Sequence, residues 1–219
     1  MTQKHDEDEH SGDRGIKILL ACLLGAIILF GAVVYINQYT GFITANNLAY
    51  YQYSNGEDQF NVRKVIRGEY IGWQTEMYTN DYRYILELYN DPGSLEDVSV
   101  DRAARNALLN DVAIVVTWPP EPIHGSMTAV LYSEMQKVFS EEILFNRPMS
   151  FAQTAAYKDF PVATCDDATR TTTVILLDIA DAETSIKTEG NCVILQGASE
   201  AELMRAADRL LYLVLGIMK

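Results

Sequence analysis

An α/β domain behind a single N-terminal transmembrane helix is the fold class this chain predicts: a compact mixed-sheet domain finished by a packed C-terminal helix. Three observations carry the prediction. The stretch Ile18–Ile36 holds nineteen residues without a charge. Beyond the turn at Asn90–Ser94, apolar runs rich in β-branched residues alternate with segments of helical period. The last twenty residues place leucines and alanines along one broad helical face.

At 1.5 Å per residue the apolar run reaches about 28 Å, close to the thickness of the hydrocarbon core, and a helix satisfies its own amides there. Residues 16–36 are therefore read as a transmembrane signal anchor. Lys4, Arg14 and Lys17 precede it, whereas no Lys or Arg occurs from Asn37 to Val62, so the short leader is expected in the cytoplasm and the bulk of the chain outside. The polar leader is long for a cleaved secretory signal, and no small-x-small site follows the apolar run. Residues 1–15, with Asp6, Glu7, Asp8, Glu9 and Asp13, form an acidic tail too polar to repay its ordering entropy. His5 and His10 within it read as solvated side chains. The polar and aromatic segment 37–55 is read as a membrane-proximal stalk, and 56–219 as the extracytoplasmic α/β domain.

Charge excludes a class of partners. The chain carries 17 Lys plus Arg against 30 Asp plus Glu, a net charge of -13. With the leader's three cations and five acids set aside, 14 basic residues face 25 acidic ones, a net of -11. Such a surface repels phosphates, and no basic stripe with interleaved aromatics interrupts it, so nucleic acid is not an expected partner. The lipid bilayer and a membrane or envelope protein are. Cys22 falls inside the apolar run, leaving Cys165 and Cys192 as the outer pair. In an oxidising compartment they suffice for one disulfide; buried free thiols are the alternative.

Within the outer domain, Gln59–Val65, Tyr70–Tyr78 and Tyr82–Tyr89 read as strands. In the last, Tyr82, Tyr84, Leu86 and Leu88 share one face and Arg83, Ile85, Glu87 and Tyr89 the other, the period of a half-buried sheet. Tyrosine dominates this half, and Tyr70, Tyr78, Tyr82 and Tyr84 are the candidate interaction residues, since tyrosine supplies rigid amphipathic contact area. The turn "NDPGS" at Asn90–Ser94 then opens a different regime. A helix is expected over Val100–Asn110 with Ala103, Ala104, Ala107 and Leu108 inward. "VAIVVTW" at Val112–Trp118 reads as a buried strand. A helix follows from Met127 to about Phe139 or Leu144, then strands at Val174–Ile179, Thr184–Thr188 and Cys192–Gln196, the last two joined as a hairpin through Glu189-Gly190-Asn191. Ser199 with Glu202 three residues later has the spacing of a capping box for the final helix. Its apolar face runs from Leu203 to Met218, with Arg205, Asp208 and Arg209 expected in water.

The loop Trp118–Ser126, "WPPEPIHGS", is the candidate ligand site, because ligands of α/β sheets gather beyond the strand C-termini and near the next helix. Trp118, Glu121, His124 and Ser126 offer an aromatic wall, an acid, a possible base and a hydroxyl. For hydrolysis His124 would activate Ser126 and be oriented by Glu121; the plainer reading is a structural loop in which Ser126 caps the helix. Asp166 and Asp167, with Thr169, lack calcium-loop spacing and read as turn residues. Asp178 and Asp181 read as solvated sheet ends. No GxGxxG, P-loop, CxxC or Cys/His cluster occurs, so no cofactor and no metal is expected.

The run "TTTVILLDIADAETSIKTEGNCVILQGASEAELMRAADRLLYLVLGIM", Thr171–Met218, resembles the end of small archaeal membrane-anchored extracytoplasmic proteins of unassigned function. There a strand containing a cysteine at the position of Cys192 precedes an "AADRLLY...GI" helix. The resemblance implies an archaeal cell-surface setting and an α/β ending, and carries no catalytic residue. The sequence thus predicts an anchored accessory or interaction subunit, possible in a cell-envelope or secretion assembly. The alternative is a tethered hydrolase or small-ligand receptor using the Trp118–Ser126 loop.

Overall fold

The computed structural model describes residues 23–25, 50–79, 82–120, 125–140 and 144–219. The chain divides into two compact units, Met1–Leu48 and Ala49–Lys219. Of the expected tail and anchor only Leu23, Leu24 and Gly25 are described, as helix, and the rest of both lies outside the described residues. Among the described residues no helix is long and apolar enough to cross a membrane.

The second unit is a mixed α/β structure with two sheets and a C-terminal helix. Its first sheet is an antiparallel meander of β1 (Tyr50–Ser54), β2 (Gln59–Arg67), β3 (Tyr70–Thr79) and β4 (Tyr82–Leu88), in that order. β1 corrects the boundary expected at residue 55: the end of the presumed stalk is a strand, with Tyr51 opposite Val62 and Tyr53 opposite Phe60. Its period-two placement of Tyr51 and Tyr53 is the strand signal that a polar, aromatic composition obscured. Val62, Thr75, Leu86 and Leu88 are buried along the same face of the meander.

The second sheet has six strands in the order β5-β9-β10-β8-β6-β7. They are β5 (Ser99–Val100), β6 (Ala113–Trp118), β7 (Met149–Gln153), β8 (Thr172–Ile179), β9 (Ser185–Glu189) and β10 (Cys192–Gly197). β10, β8, β6 and β7 run parallel, and β9 pairs antiparallel with β10 as the expected hairpin. Ile114, Val116, Ile175, Leu177, Val193 and Leu195 are buried on one face, the alternation a sheet dictates. β7 had no counterpart in the sequence reading, because "MSFAQ" is short and contains no β-branched residue.

The α-helices among this unit's described residues are α1 (Ala103–Asn110), α2 (Gly125–Phe139) and α3 (Glu200–Val214): α1 packs on β9, β10 and α3, α2 packs on α3, and α3 lies against β8, β9 and β10. One core runs from Leu86 and Leu88 of the meander through Leu108, Leu131, Met135 and Leu211 to the face of the six-stranded sheet. Ser199 caps α3 by accepting from the Glu202 backbone N–H at 3.3 Å. The Glu202 carboxylate does not return to the cap; it takes the Thr184 hydroxyl and the Arg205 guanidinium instead. At Gly197 a Cβ would sit 2.8 Å from the Glu202 carbonyl carbon and the Leu203 nitrogen, so only glycine lets β10 turn so closely into α3.

Two expectations about facing fail here. Asp208 and Arg209 are buried, not in water, because α3 is covered on both sides and its polar stripe meets the meander. Arg205 alone of the three stays near the surface, bound to Asp97 at 2.6 Å and to the Ser94 carbonyl. Ala103 is exposed at the first turn of α1 rather than inward.

The opposite face of the six-stranded sheet is partly clamped by the loop after β7. The Thr117 hydroxyl donates to the Ala163 carbonyl at 2.7 Å. Two residues on, Cys165 is disulfide-bonded to Cys192 at the start of β10, with 5.2 Å between their Cα atoms. Asp167 closes the turn that presents Cys165 by accepting from the Thr164 backbone N–H at 2.8 Å, which is the structural role of that acid.

Candidate interaction surface

The sequence-predicted site residues separate. Trp118 ends β6 and is half-buried. Glu121 and His124 lie outside the described residues, and α2 begins at Gly125, so Ser126 stands within its first turn rather than ahead of it as a cap. The four tyrosines split into pairs. Tyr78 and Tyr82 are 71% and 62% exposed at the end of the β3–β4 pair where Thr79 faces Tyr82. Tyr84 turns inward, its hydroxyl donating to the Lys137 carbonyl of α2 at 3.1 Å. Tyr70 lies across Gly72, where its ring fills the space a side chain would take, and meets Tyr89 edge-on at 5.1 Å.

Trp118 belongs to a larger assembly that the sequence did not single out. It stacks on Phe151 of β7 at 6.1 Å between centroids, and Phe151 in turn meets Tyr132 of α2 edge-on at 5.8 Å and Phe160 at 5.6 Å. Tyr157 stacks on Phe160 at 6.5 Å, and the Lys158 ammonium stands 4.9 Å from the Tyr157 ring centre. Phe151, Tyr157, Phe160 and Val162 are all exposed. β7 is the terminal strand of its sheet; among the described residues its outer edge is engaged at Gln153, whose N–H donates to the Pro161 carbonyl at 2.8 Å and whose carbonyl accepts from the Ala163 N–H at 2.9 Å, and at the Met149 carbonyl, which takes the Tyr132 hydroxyl. Contiguous exposed aromatics beside an open strand edge are the surface features that mark an association site.

No family model, curated protein or solved structure matches this chain.

The electrostatics place the unusual groups away from that edge, under the meander. The Asp208 carboxyl accepts from both the backbone and side-chain N–H groups of Asn90, each at 2.8 Å, while its second oxygen has no partner among the described residues. Burial raises its pKa to about 7 against the pull of those donors, and nearby Glu134 adds to the rise. Glu134 is raised by burial as well, even with Lys137 at 2.9 Å. The Arg209 guanidinium is lowered by burial beside Tyr53 and Glu96, and one of its nitrogens donates to the Lys219 carbonyl. Asp208 ties α3 to the turn after β4, and Arg209 ties it to the chain's last residue. Among the described residues no His, Cys, Asp and Glu group is arranged to hold a metal. The signal for the aromatic edge was present as "SFAQTAAYKDFPV", four aromatic or aliphatic residues in a segment without helical or strand period, but only the pairing of β7 with β6 brings them beside Trp118.

Proposed function

We propose that this protein is a membrane-anchored extracytoplasmic interaction subunit that docks a membrane or envelope protein through the aromatic edge formed by Trp118, Phe151, Tyr157 and Phe160. The carrying observation is that exposed aromatic chain beside β7, the terminal strand of its sheet, whose outer edge is only partly engaged among the described residues. An open edge offers main-chain hydrogen bonds to an extended partner segment, and the aromatic rings offer its side chains desolvated contact. The partner that fits has an apolar centre and a basic rim, complementary to a chain of net charge -13. Anchoring through 16–36 confines both proteins to one thin layer and raises their effective concentration. The disulfide supports placement of the domain in an oxidising compartment. The archaeal surface setting implied by the C-terminal resemblance points the same way.

The test is site-specific photocrosslinking in native membranes. A benzophenone side chain in place of Phe160 is expected to capture one membrane or envelope protein, and Phe151→Asp to abolish the capture. The same probe in place of Tyr78, on the meander, is expected to capture little. Efficient capture at Tyr78 with none at Phe160 overturns the assignment of the edge; digestion of the domain only after cells are opened overturns its placement outside.

A further inference from the structure

A cleft of about 330 Å³ opens at the other end of the six-stranded sheet, between the last turns of α1 and the β9–β10 turn. That volume falls at the lower end of the range of small-molecule sites, roughly 300–1,000 Å³, enough for one ring-sized molecule and too small for a peptide chain. Gly190, at a φ of 60°, makes the tight turn that forms one wall.

The chemistry of the lining is unusual for this surface. Asp111 forms the back of the cleft and is 2% exposed. Its charge is held by the Thr173 hydroxyl at 2.5 Å and the Asn191 amide at 3.3 Å, and the same Asn191 amide donates to the Thr169 carbonyl. At the mouth stand Asn106, Asn110 and Arg170, none with a side-chain partner among the described residues. Asn106 and Asn110 are four residues apart on α1, so their carboxamides share one face. Ala103 is exposed alongside them, while Ala107 is largely buried beneath.

A carboxamide presents one acceptor and two donors, and a pair of them at helical spacing complements a molecule whose groups also donate and accept, that is, adjacent hydroxyls. The charges argue for neutrality in the occupant. The Arg170 guanidinium at the mouth opposes a metal ion or an amine, while the Asp111 carboxylate behind opposes a phosphate or carboxylate. We propose that this cleft binds a single neutral sugar residue, with Asn106 and Asn110 bridging neighbouring hydroxyls, Arg170 donating to a third oxygen, and the ring lying against Ala103. The site is independent of the aromatic edge: neither its residues nor its ligand take part in that surface.

The experiment uses the full chain in lipid nanodiscs, free of glycoside detergents, with saturation-transfer NMR on the methyl glycosides of glucose, mannose and galactose. At least one of the three is expected to receive saturation and to bind with a dissociation constant near 1 mM, on the order of three or four hydrogen bonds to a small ligand. Asn106→Ala with Asn110→Ala, both at exposed positions, is expected to weaken that binding at least about tenfold while the thermal midpoint stays unchanged. Gln136→Ala, exposed on α2, leaves it intact. Absence of transfer to all three sugars up to about 50 mM overturns the proposal, as does transfer that persists in the double variant. Inorganic phosphate binding that is lost with Arg170→Ala, without sugar binding, also overturns it and assigns an anion site.

Discussion

Asp208 is the residue at which the fold departs furthest from what its neighbours in sequence suggest. It sits in "RAADRLL", where a helical wheel sends it outward, yet α3 is enclosed and the carboxyl is fixed on Asn90, 118 residues away. Nothing in the local spacing reveals this, because the burying surface comes from another part of the chain; the same holds for Arg209. The consequence for pH is definite in sign. The folded pKa, about 7, stands above the ordinary value of 3.8, so the native state holds this proton more tightly than the unfolded chain. The contribution to stability is complete below about pH 4 and is lost as pH rises to about 7, where it levels off. Glu134, also raised, adds a slope of the same sign. Asp97 and Glu202 are held low by hydrogen bonds from Arg205 and Thr184, respectively, and act oppositely in acid, but both are largely solvated and contribute little. Urea midpoints measured from pH 4 to pH 8 are expected to fall across that window in the native sequence, and Asp208→Asn to remove most of the fall, a change of a few kcal/mol. An unchanged slope in the variant refutes this assignment.

Among the elements, those with a clear period were legible in the sequence. β2, β3, β4, β8 and β10 lie within a residue or two of where alternation and β-branching put them, and Ser199 marks the start of α3 through its own capping bond. The short edge strands were not, since β1 and β7 draw their structure from a partner strand rather than from composition. The aromatic edge stayed hidden for that reason: its members are scattered from Trp118 to Val162 and meet only when β7 pairs with β6. The loop joining β7 to β8 owes its position to two fastenings, the Thr117 to Ala163 hydrogen bond and the Cys165–Cys192 disulfide, which closes 27 residues of chain. By loop-closure entropy that bond is worth about 3.5 kcal/mol. Replacing both cysteines with serine is expected to lower unfolding free energy by that order in a urea titration, and to speed hydrogen exchange at Ala163 while β8 amides keep their protection. Equal acceleration at both places would show that the disulfide supports the whole sheet and not the clamp.

At the level of the whole molecule, charge and layering act together. A net charge of -13 keeps copies of the protein apart and would favour a basic rim on the proposed partner. Association measured with the crosslinked partner is expected to slow several-fold when salt rises from about 0.05 to 0.5 M, with dissociation changing less, because screening acts on the approach and the aromatic contact on the residence. Salt-independent association refutes the charged rim. The order of the elements along the chain carries a further consequence for folding. The meander is made first, yet its inner face is covered by α3, the last helix described, through Asn90 and Tyr212, whose residues are 122 apart. A polypeptide emerging in order of synthesis has its first four strands available before the helix that packs beside them, which ends at Val214. Late closure of this kind leaves the early half without its final cover until the last helix docks.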